Sequence, residues 1–452
     1  MKRLAGYCLL SLLLSSCAPD PPDNIVLISL DTVRRDHLST YSYKRATTPR
    51  LDSLASESIL FMDAFSQATN TAPSHASMLT GLYPQAHGVV ANADPLDRHG
   101  ATTLAEILGS NGFRTAAFVS GYTMESKISG LDRGFEIYDD EFDEASRDGN
   151  LTLEQTLRWL ADLPPDERFF LFFHLFDAHG PYEPSAEYAE LFESENPGPS
   201  LKRIARYQLY NDENGQRVSH LNRYVDRYDA QIRYLNDLVA TLLENLDLSN
   251  TIVVVTADHG ETLGERRHAM DHGGQVHDEQ IRIPLLLRAP NLEPSTVEGA
   301  VETIDLMPTL LELLQVTPPE DLEIQGTSLL PLINGEAKGR DYVFSIAQAT
   351  KYRHRARGYV LDEARRIKSV RTERWKLIRY PGRDFEDYLE LYDLHQDPLE
   401  KNNVVDAFPE MKDKLLDRLK SWEHGWESGV APAAELDPDA VRRMQALGYL
   451  GD

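Results

Sequence analysis

Short apolar runs alternate along the chain with segments whose apolar residues recur every three or four positions. Asn24–Leu30 (NIVLISL) is the first such run. RFFLFFHLF (168–176), TIVVVT (251–256) and RIPLLLRAP (282–290) follow it. Runs this short and this apolar predict strands buried on both faces, as in a parallel sheet covered by helices. FRTAAFVSG (113–121) predicts a further strand. Between the runs, TPRLDSLASES (48–58) reads as a helix, and so does ATTLAEILGSNG (101–112), which glycine stops. Residues 223–246 (RYVDRYDAQIRYLNDLVATLLENL) carry the spacing of a long amphipathic helix. Strands alternating with helices predict an α/β sandwich around a central, mostly parallel sheet, over residues 24–340. Beyond residue 340 the pattern changes. Alternating stretches rich in Lys and Arg, a strand with turns at 388–404 and a helix at 408–426 predict a small β-rich subdomain, with a terminal helix, over 341–452.

The first residues lie apart from this pattern. A short basic start, Met1-Lys2-Arg3, precedes LAGYCLLSLLL, which is too short for a permanent membrane helix. LLSSC ends the stretch and resembles a bacterial lipoprotein signal. Residues 1–16 would then be removed, Cys17 would carry lipid, and 17–23 would be a tether. A plain secretory signal with an accidental cysteine is the other reading. The expectation is an exported protein of the cell envelope, lipid-anchored at Cys17, at the outer membrane or facing the periplasm. Ala18, rather than aspartate, after Cys17 is a weak cue against inner-membrane retention. Cys8 and Cys17 are the only cysteines, so the mature fold has no disulfide, thiolate metal site or cysteine nucleophile. A formal net charge of −26 argues against nucleic acid as a partner. An anionic substrate must therefore be met by a metal or by placed basic side chains.

Three strand ends carry candidate chemistry: Asp31, Asp177-Ala178-His179, and Asp258-His259. Open α/β sheets place ligand sites at the carboxyl ends of their strands. Asp and His together form a hard-to-borderline metal site. A lone Asp there is ordinarily a turn residue or cap; three tips together are harder to explain in that way. TNTAPSHASMLTGLYPQAHGV (69–89) adds small residues, a proline, two histidines and hydroxyls as the potential nucleophiles, with Thr71 where a cysteine would be looked for.

TAPSHASMLTG (71–81) resembles the signature of the sulfatases, within the alkaline-phosphatase superfamily, written C-x-P-S-R followed by T-G. NIVLISLDTVRRDHLSTYSY, TADHGETLGE, HDEQIRIPLLLRAP, TIDLMPTLLELL, IQGTSLLPLINGE, RTERWKLIRY and ELYDLHQDPLEKNNV resemble the family's further blocks, in order, over roughly residues 23–405. The resemblance implies an alkaline-phosphatase/sulfatase-like fold and a hydrolase of sulfate or phosphate esters. It implies that Asp31, Asp258 and His259 bind a divalent cation, calcium if sulfatase-like, zinc or manganese if phosphoesterase-like. Thr71 falls on the nucleophile, which is also a metal ligand. His75 falls on the neighbouring arginine, His179 near the substrate-binding histidine, and His272 in the stretch serving the leaving-group side.

The departures matter as much. Sulfatases oxidise cysteine or serine to an aldehyde, formylglycine. Threonine would stop at a ketone, so no formylglycine is expected. A metal-activated threonine hydroxyl remains available, as in superfamily members that pass through a phosphothreonine. That chemistry favours phosphorus over sulfur. Thr32 replaces a second aspartate common in sulfatases. Two arrangements stay open: Asp177, His179 and His272 holding a second metal, or one metal with His179 and His272 bonding substrate directly. His174 reads as a satisfied core histidine and His87 as structural; His268, His277 and His354 have no assigned role. Lys351, Arg353, Arg355 and Arg357 form either a rim for an anion or a solvated face interleaved with Glu363 and Glu373. The acidic stretch 138–148 reads as a solvated loop. The expected protein is a metal-dependent ester hydrolase working through Thr71 on an anionic sulfated or phosphorylated glycan, lipid or small molecule. An envelope phospho-headgroup transferase and a non-catalytic binding protein are the alternatives.

Overall fold

A computed structural model describes residues 21–96, 100–212, 214–266, 269–348, 353–355, 358–360, 366–382, 386–424 and 438–447. Cys17, His268, Lys351, Arg357 and Glu363 lie outside the described residues, as do the side chains of Arg353, His354 and Arg355.

A nine-stranded sheet forms the centre. Its strands are β1 (Asn24–Leu30), β2 (Ile59–Phe65), β3 (Arg114–Phe118), β4 (Ile137–Asp139), β5 (Phe169–Leu175), β6 (Thr251–Thr256), β7 (Arg282–Ile283), β8 (Leu285–Arg288) and β9 (Ser295–Glu302). The order is β4-β3-β5-β1-β6-β8-β2-β7, with β9 also paired to β2. The block β4-β3-β5-β1-β6 is parallel. β8 runs antiparallel to both β6 and β2 and so joins this block to the parallel pair β2–β9. β1, β5 and β6 are buried almost throughout, which is why their sequences do not alternate. Their register puts Leu30 opposite Leu175 and Ser29 opposite Thr256. The chain therefore leaves all three strands at one level, just before Asp31, Asp177 and Asp258.

The helix Leu221–Glu244 buries Tyr224, Tyr228, Ile232, Leu235, Val239 and Leu242, a stripe at helical spacing. The segment 138–148 is not simply a solvated loop. Its start forms edge strand β4, Arg147 pairs with Asp139, and Asp148 caps the helix Gly149–Asp162 by accepting from Asn150 N at 2.9 Å.

The C-terminal part contains β10 (Val343–Gln348), the hairpin β11 (Arg353–Arg355) and β12 (Gly358–Val360), β13 (Arg366–Arg371), β14 (Trp375–Tyr380) and β15 (Tyr388–Asp393). β10-β13-β14-β15 form an antiparallel sheet. The expected helix is Pro409–His424; its Leu415, Leu419 and Trp422 pack on Phe344, Val370 and Leu377. This sheet shares a core with the main domain, where Phe65, Val276 and Ile281 meet Val343, Ile367 and Ile378. A second helix, Pro438–Ala446, departs from the expected grouping. Its Ala440 and Met444 pack against Tyr122, Ile128 and Phe176 of the main domain. No helix among the described residues is long and apolar enough to cross a membrane.

Candidate active site

The segment 71–80 folds as a helix, Thr71–Thr80, with every residue buried. Small residues on all sides (Ala72, Ser74, Ala76, Ser77) let it lie deep among the strands. Thr71 is its first residue, at the end where unpaired N–H groups and the helix dipole favour negative charge. Asn92 Oδ1 accepts from Ala72 N at 2.9 Å and so satisfies part of that end. Two contacts fix the helix against the sheet. Ser74 Oγ donates to the Asp258 carbonyl at 2.7 Å. His75 bridges Ser29 Oγ at 2.7 Å through Nε2 and the Thr71 carbonyl at 2.9 Å through Nδ1. His75 thus spends both ring nitrogens on the scaffold that holds Thr71.

The structure brings Asp31, Asp258 and His259 together, with one ligand atom from each within 4.8 Å of the others. The remaining atoms of these groups are committed. Asp258 Oδ1 accepts from Thr32 N at 3.1 Å and His259 N at 2.8 Å. His259 Nδ1 faces the Gly260 carbonyl at 3.0 Å. Asp31 Oδ2 lies 3.2 Å from His174 Nε2. What is left, Asp31 Oδ1, Asp258 Oδ2 and His259 Nε2, is buried without a hydrogen-bond partner. Two carboxylate oxygens and an imidazole nitrogen, convergent and without hydrogen bonds, with His259 Nε2 3.3 Å from Asp258 Oδ2, fit a divalent cation. Burial and the neighbouring Asp258 charge push the Asp31 carboxyl well above its usual range. Burial disfavours the charged form of His259, but Asp258 and Asp31 outweigh it and raise this group.

Thr32 takes φ 58°, a costly left-handed conformation for a β-branched residue. It is held there by its N–H to Asp258 and by its carbonyl, which accepts from Tyr228 Oη at 2.7 Å. The long helix thereby sets the turn that aims Asp31.

His179 and His272 join this centre. Their ring centroids lie 4.8 Å apart, and His272 lies 4.7 Å from His259. His179 stacks on Phe176 and directs Nδ1 at the Gly180 carbonyl, 2.7 Å away. His272 Nδ1 is 3.4 Å from Glu261 Oε1. Burial first, and then the neighbouring imidazole, hold both well below the usual histidine range, so both are neutral near pH 7.

Asp177 does not join them. Its Oδ1 accepts from Gly149 N at 2.9 Å, at the start of the helix Gly149–Asp162. Among the described residues the only cluster with the geometry to hold a metal is Asp31, Asp258 and His259, and the second-metal set of Asp177, His179 and His272 does not form one. His174 is more than core filling. It touches Asp31 through Nε2, and its buried Nδ1 has no hydrogen-bond partner. His87 is structural, bonded to Ser77 Oγ at 2.9 Å at the end of a short helix. His277 lies away from the cluster, 3.5 Å from Glu390. Glu261 was missed by sequence reasoning. It is fully buried beside His272, and burial pushes its carboxyl up to about 8. Its place two residues after His259 was the available signal.

Residues 23–316 match the sulfatase family, and residues 268–424 match the C-terminal region of N-sulphoglucosamine sulphohydrolase. An N-acetylglucosamine-6-O-sulfatase of Bacteroides thetaiotaomicron is 24% identical over 88% of this chain and 86% of its own length. A protein solved in complex with D-glucosamine-2-N,6-O-disulfate shares the fold, with TM-score 0.74, 20% identity and coverage of 93% of this chain and 99% of that one. The phosphonate monoester hydrolase of Agrobacterium radiobacter does so with TM-score 0.71, 21% identity and coverage of 92% and 100%. With about two thirds of its length matched to one family and a sheet that gathers that family's blocks at a single centre, the chain belongs to the sulfatase family of ester hydrolases.

Proposed function

We propose that this protein is a metal-dependent hydrolase of phosphate or sulfate esters in which unmodified Thr71 is the nucleophile, and that phosphorus is the preferred centre. The observation that carries this reading is the convergence of three buried ligand atoms without hydrogen bonds on Asp31, Asp258 and His259, fastened through Ser74 to the helix that begins at Thr71. Asp31, Asp258 and His259, with Thr71, would hold the cation, calcium or else zinc or manganese. When bound, the cation supplies positive charge that lowers a hydroxyl pKa and offsets the charge of the ester.

Thr71 Oγ, having released its proton to water under the positive charge the cation would supply, attacks the phosphorus or sulfur, and the alcohol leaves with its bonding electrons. His179 or His272 gives that alcohol its proton. Burial favours the neutral form of both imidazoles, so the incoming anion supplies the charge that lets one of them first take up a proton. Water then cleaves the threonine ester, and the same imidazole receives the water's proton. His75 keeps Thr71 in register from behind. The likeness to a glucosamine-6-O-sulfatase and to a protein holding a glucosamine disulfate supports a glycan ester as substrate. The basic and apolar stretch before Cys17 supports export and lipid anchoring in the cell envelope.

The test is hydrolysis of aryl sulfate, phosphate monoester and phosphodiester by protein lacking residues 1–20, with metals varied. Thr71→Ala should abolish turnover, by ~10³-fold or more, while metal content persists; Thr71→Ser should retain it. Equal turnover in Thr71→Ala removes the nucleophile. Thr71-dependent cleavage of the sulfate alone reverses the preference for phosphorus.

A further inference from the structure

Pro438–Ala446 is the last described helix, yet it closes a core that adjoins the reacting groups. Ala440 and Met444, one turn apart, form an apolar stripe with Leu447 beyond them. All three are buried in one cluster with Ala93, Tyr122, Ile128 and Phe176. Two members of that cluster adjoin the site. Ala93, at φ 62°, follows Asn92, whose side chain caps the helix that begins at Thr71. Phe176 lies face to face with His179, with ring centroids 4.1 Å apart and planes 16° apart.

Phe176 has little room to shift. A Cβ at Gly121 would come within 2.5 Å of Phe176 Cδ2, so the ring rests on bare backbone there. Tyr122, the next residue, is buried, and the Arg443 guanidinium of the last helix covers its ring at 5.1 Å. Arg443 Nη1 also donates to Glu125 Oε1 at 2.8 Å and to the carbonyls of Phe142 and Glu144 at 3.3 Å. Glu125 is itself only 4% exposed. The helix thus holds the segment 121–125, that segment bears on Phe176, and Phe176 bears on His179. Close-packed groups of this kind transmit a displacement instead of absorbing it. The bond from Nδ1 to the Gly180 carbonyl sets the tautomer of His179, and the face of Phe176 sets the plane of its ring.

We propose that Arg443 and Met444 are positioning residues for the reaction: the last helix, docked through them, sets the plane in which His179 meets the leaving alcohol. This rests on the reading that His179 supplies the proton at that oxygen. A proton donor displaced by about 1 Å forfeits much of its effect. The loss falls on alcohols that leave only with a proton and spares those that leave as stable anions.

The test is kcat/KM, which reports the step in which the alcohol leaves, on metal-loaded protein with phenyl phosphate, 4-nitrophenyl phosphate and the two matching sulfates. Phenoxide needs help from a proton, and 4-nitrophenoxide leaves unaided. Met444→Ala and Arg443→Met should each lower kcat/KM for the phenyl ester about tenfold more than for the 4-nitrophenyl ester. Met444→Leu, which keeps the volume, should restore most of that difference. In a His179→Ala background, Met444→Ala should add no further selectivity. A merely structural role reduces the folded fraction and depresses both esters equally, so equal losses in Met444→Ala and Arg443→Met overturn the proposal. If those equal losses accompany a selective loss in His179→Ala, the proton donor stands and only the positioning role is removed. If His179→Ala itself treats the two esters alike, the reading beneath the proposal fails, and absence of turnover by the parent removes both.

Discussion

Asp31 and Asp258 are fully buried, and each has an oxygen without a hydrogen bond, that of Asp258 lying 3.3 Å from His259 Nε2. Two buried carboxylates side by side are costly until a cation joins them. A divalent metal should therefore stabilise the fold as well as enable turnover. At a hundredfold excess over Kd the gain is ~2.7 kcal/mol, read as a rise in Tm that a chelator reverses. Asp258→Asn should abolish that rise, and a metal-dependent Tm that survives the substitution would place the cation elsewhere. A second residue-scale effect concerns acid. Burial holds His75 down to about 3 and His174 to about 4, against an ordinary value of 6.5. Below pH 6.5 the unfolded chain binds protons that the folded one refuses, so stability falls as pH drops through this window and is complete above it. Buried acids raised in the folded state, Glu261 and Asp31 among them, act in the opposite sense, so the histidine contribution is read as a difference: from pH 7 to pH 4 the urea midpoint of the parent should fall relative to that of His75→Gln. Parallel declines would mean that His75 is not one of the groups responsible.

Among the elements, the turn after β6 and the short helix Asp278–Ile281 carry the site between them. Gly260 N donates to the Gln280 carbonyl at 2.8 Å, and a Cβ on Gly260 would lie 2.2 Å from the Glu279 carbonyl. Backbone presses on backbone here, so neither side yields as a flexible side chain would. Gly260→Ala should cost about 3 kcal/mol, the upper end for overpacking. Because His259 precedes it, metal affinity should fall along with the urea midpoint. An alanine variant with unchanged metal affinity would show that the turn is not what aims His259.

In the whole molecule, the antiparallel sheet of the C-terminal part supports the site from behind. Lys376 on β14 is fully buried, with Nζ 2.8 Å from Asp278 Oδ1 of the main domain and 2.8 Å from Glu400 Oε1. Removing one partner of a buried ionic group strands the others, a loss of about 3–5 kcal/mol. Lys376→Met should lower the urea midpoint accordingly, and Lys376→Met with Asp278→Asn should recover part of the loss. No recovery in the double variant would mean that the cost lies in packing rather than charge.

Strands β1, β5 and β6, the long amphipathic helix and the ordered family blocks were all legible in the sequence. Apolar runs and helical periodicity are local properties, and Asp31, Asp258 and His259 follow their strands directly. Chain chemistry alone also excluded a cysteine nucleophile. Tertiary structure decided what depends on partners distant along the chain. Asp177 and His179 are two residues apart, yet one serves the helix Gly149–Asp162 and the other faces His272. His174 looked like core because its strand is apolar, but the pairing of β1 with β5 set it on Asp31. Period and residue type fix which elements form; the register between strands and the room beside a glycine fix which side chains meet.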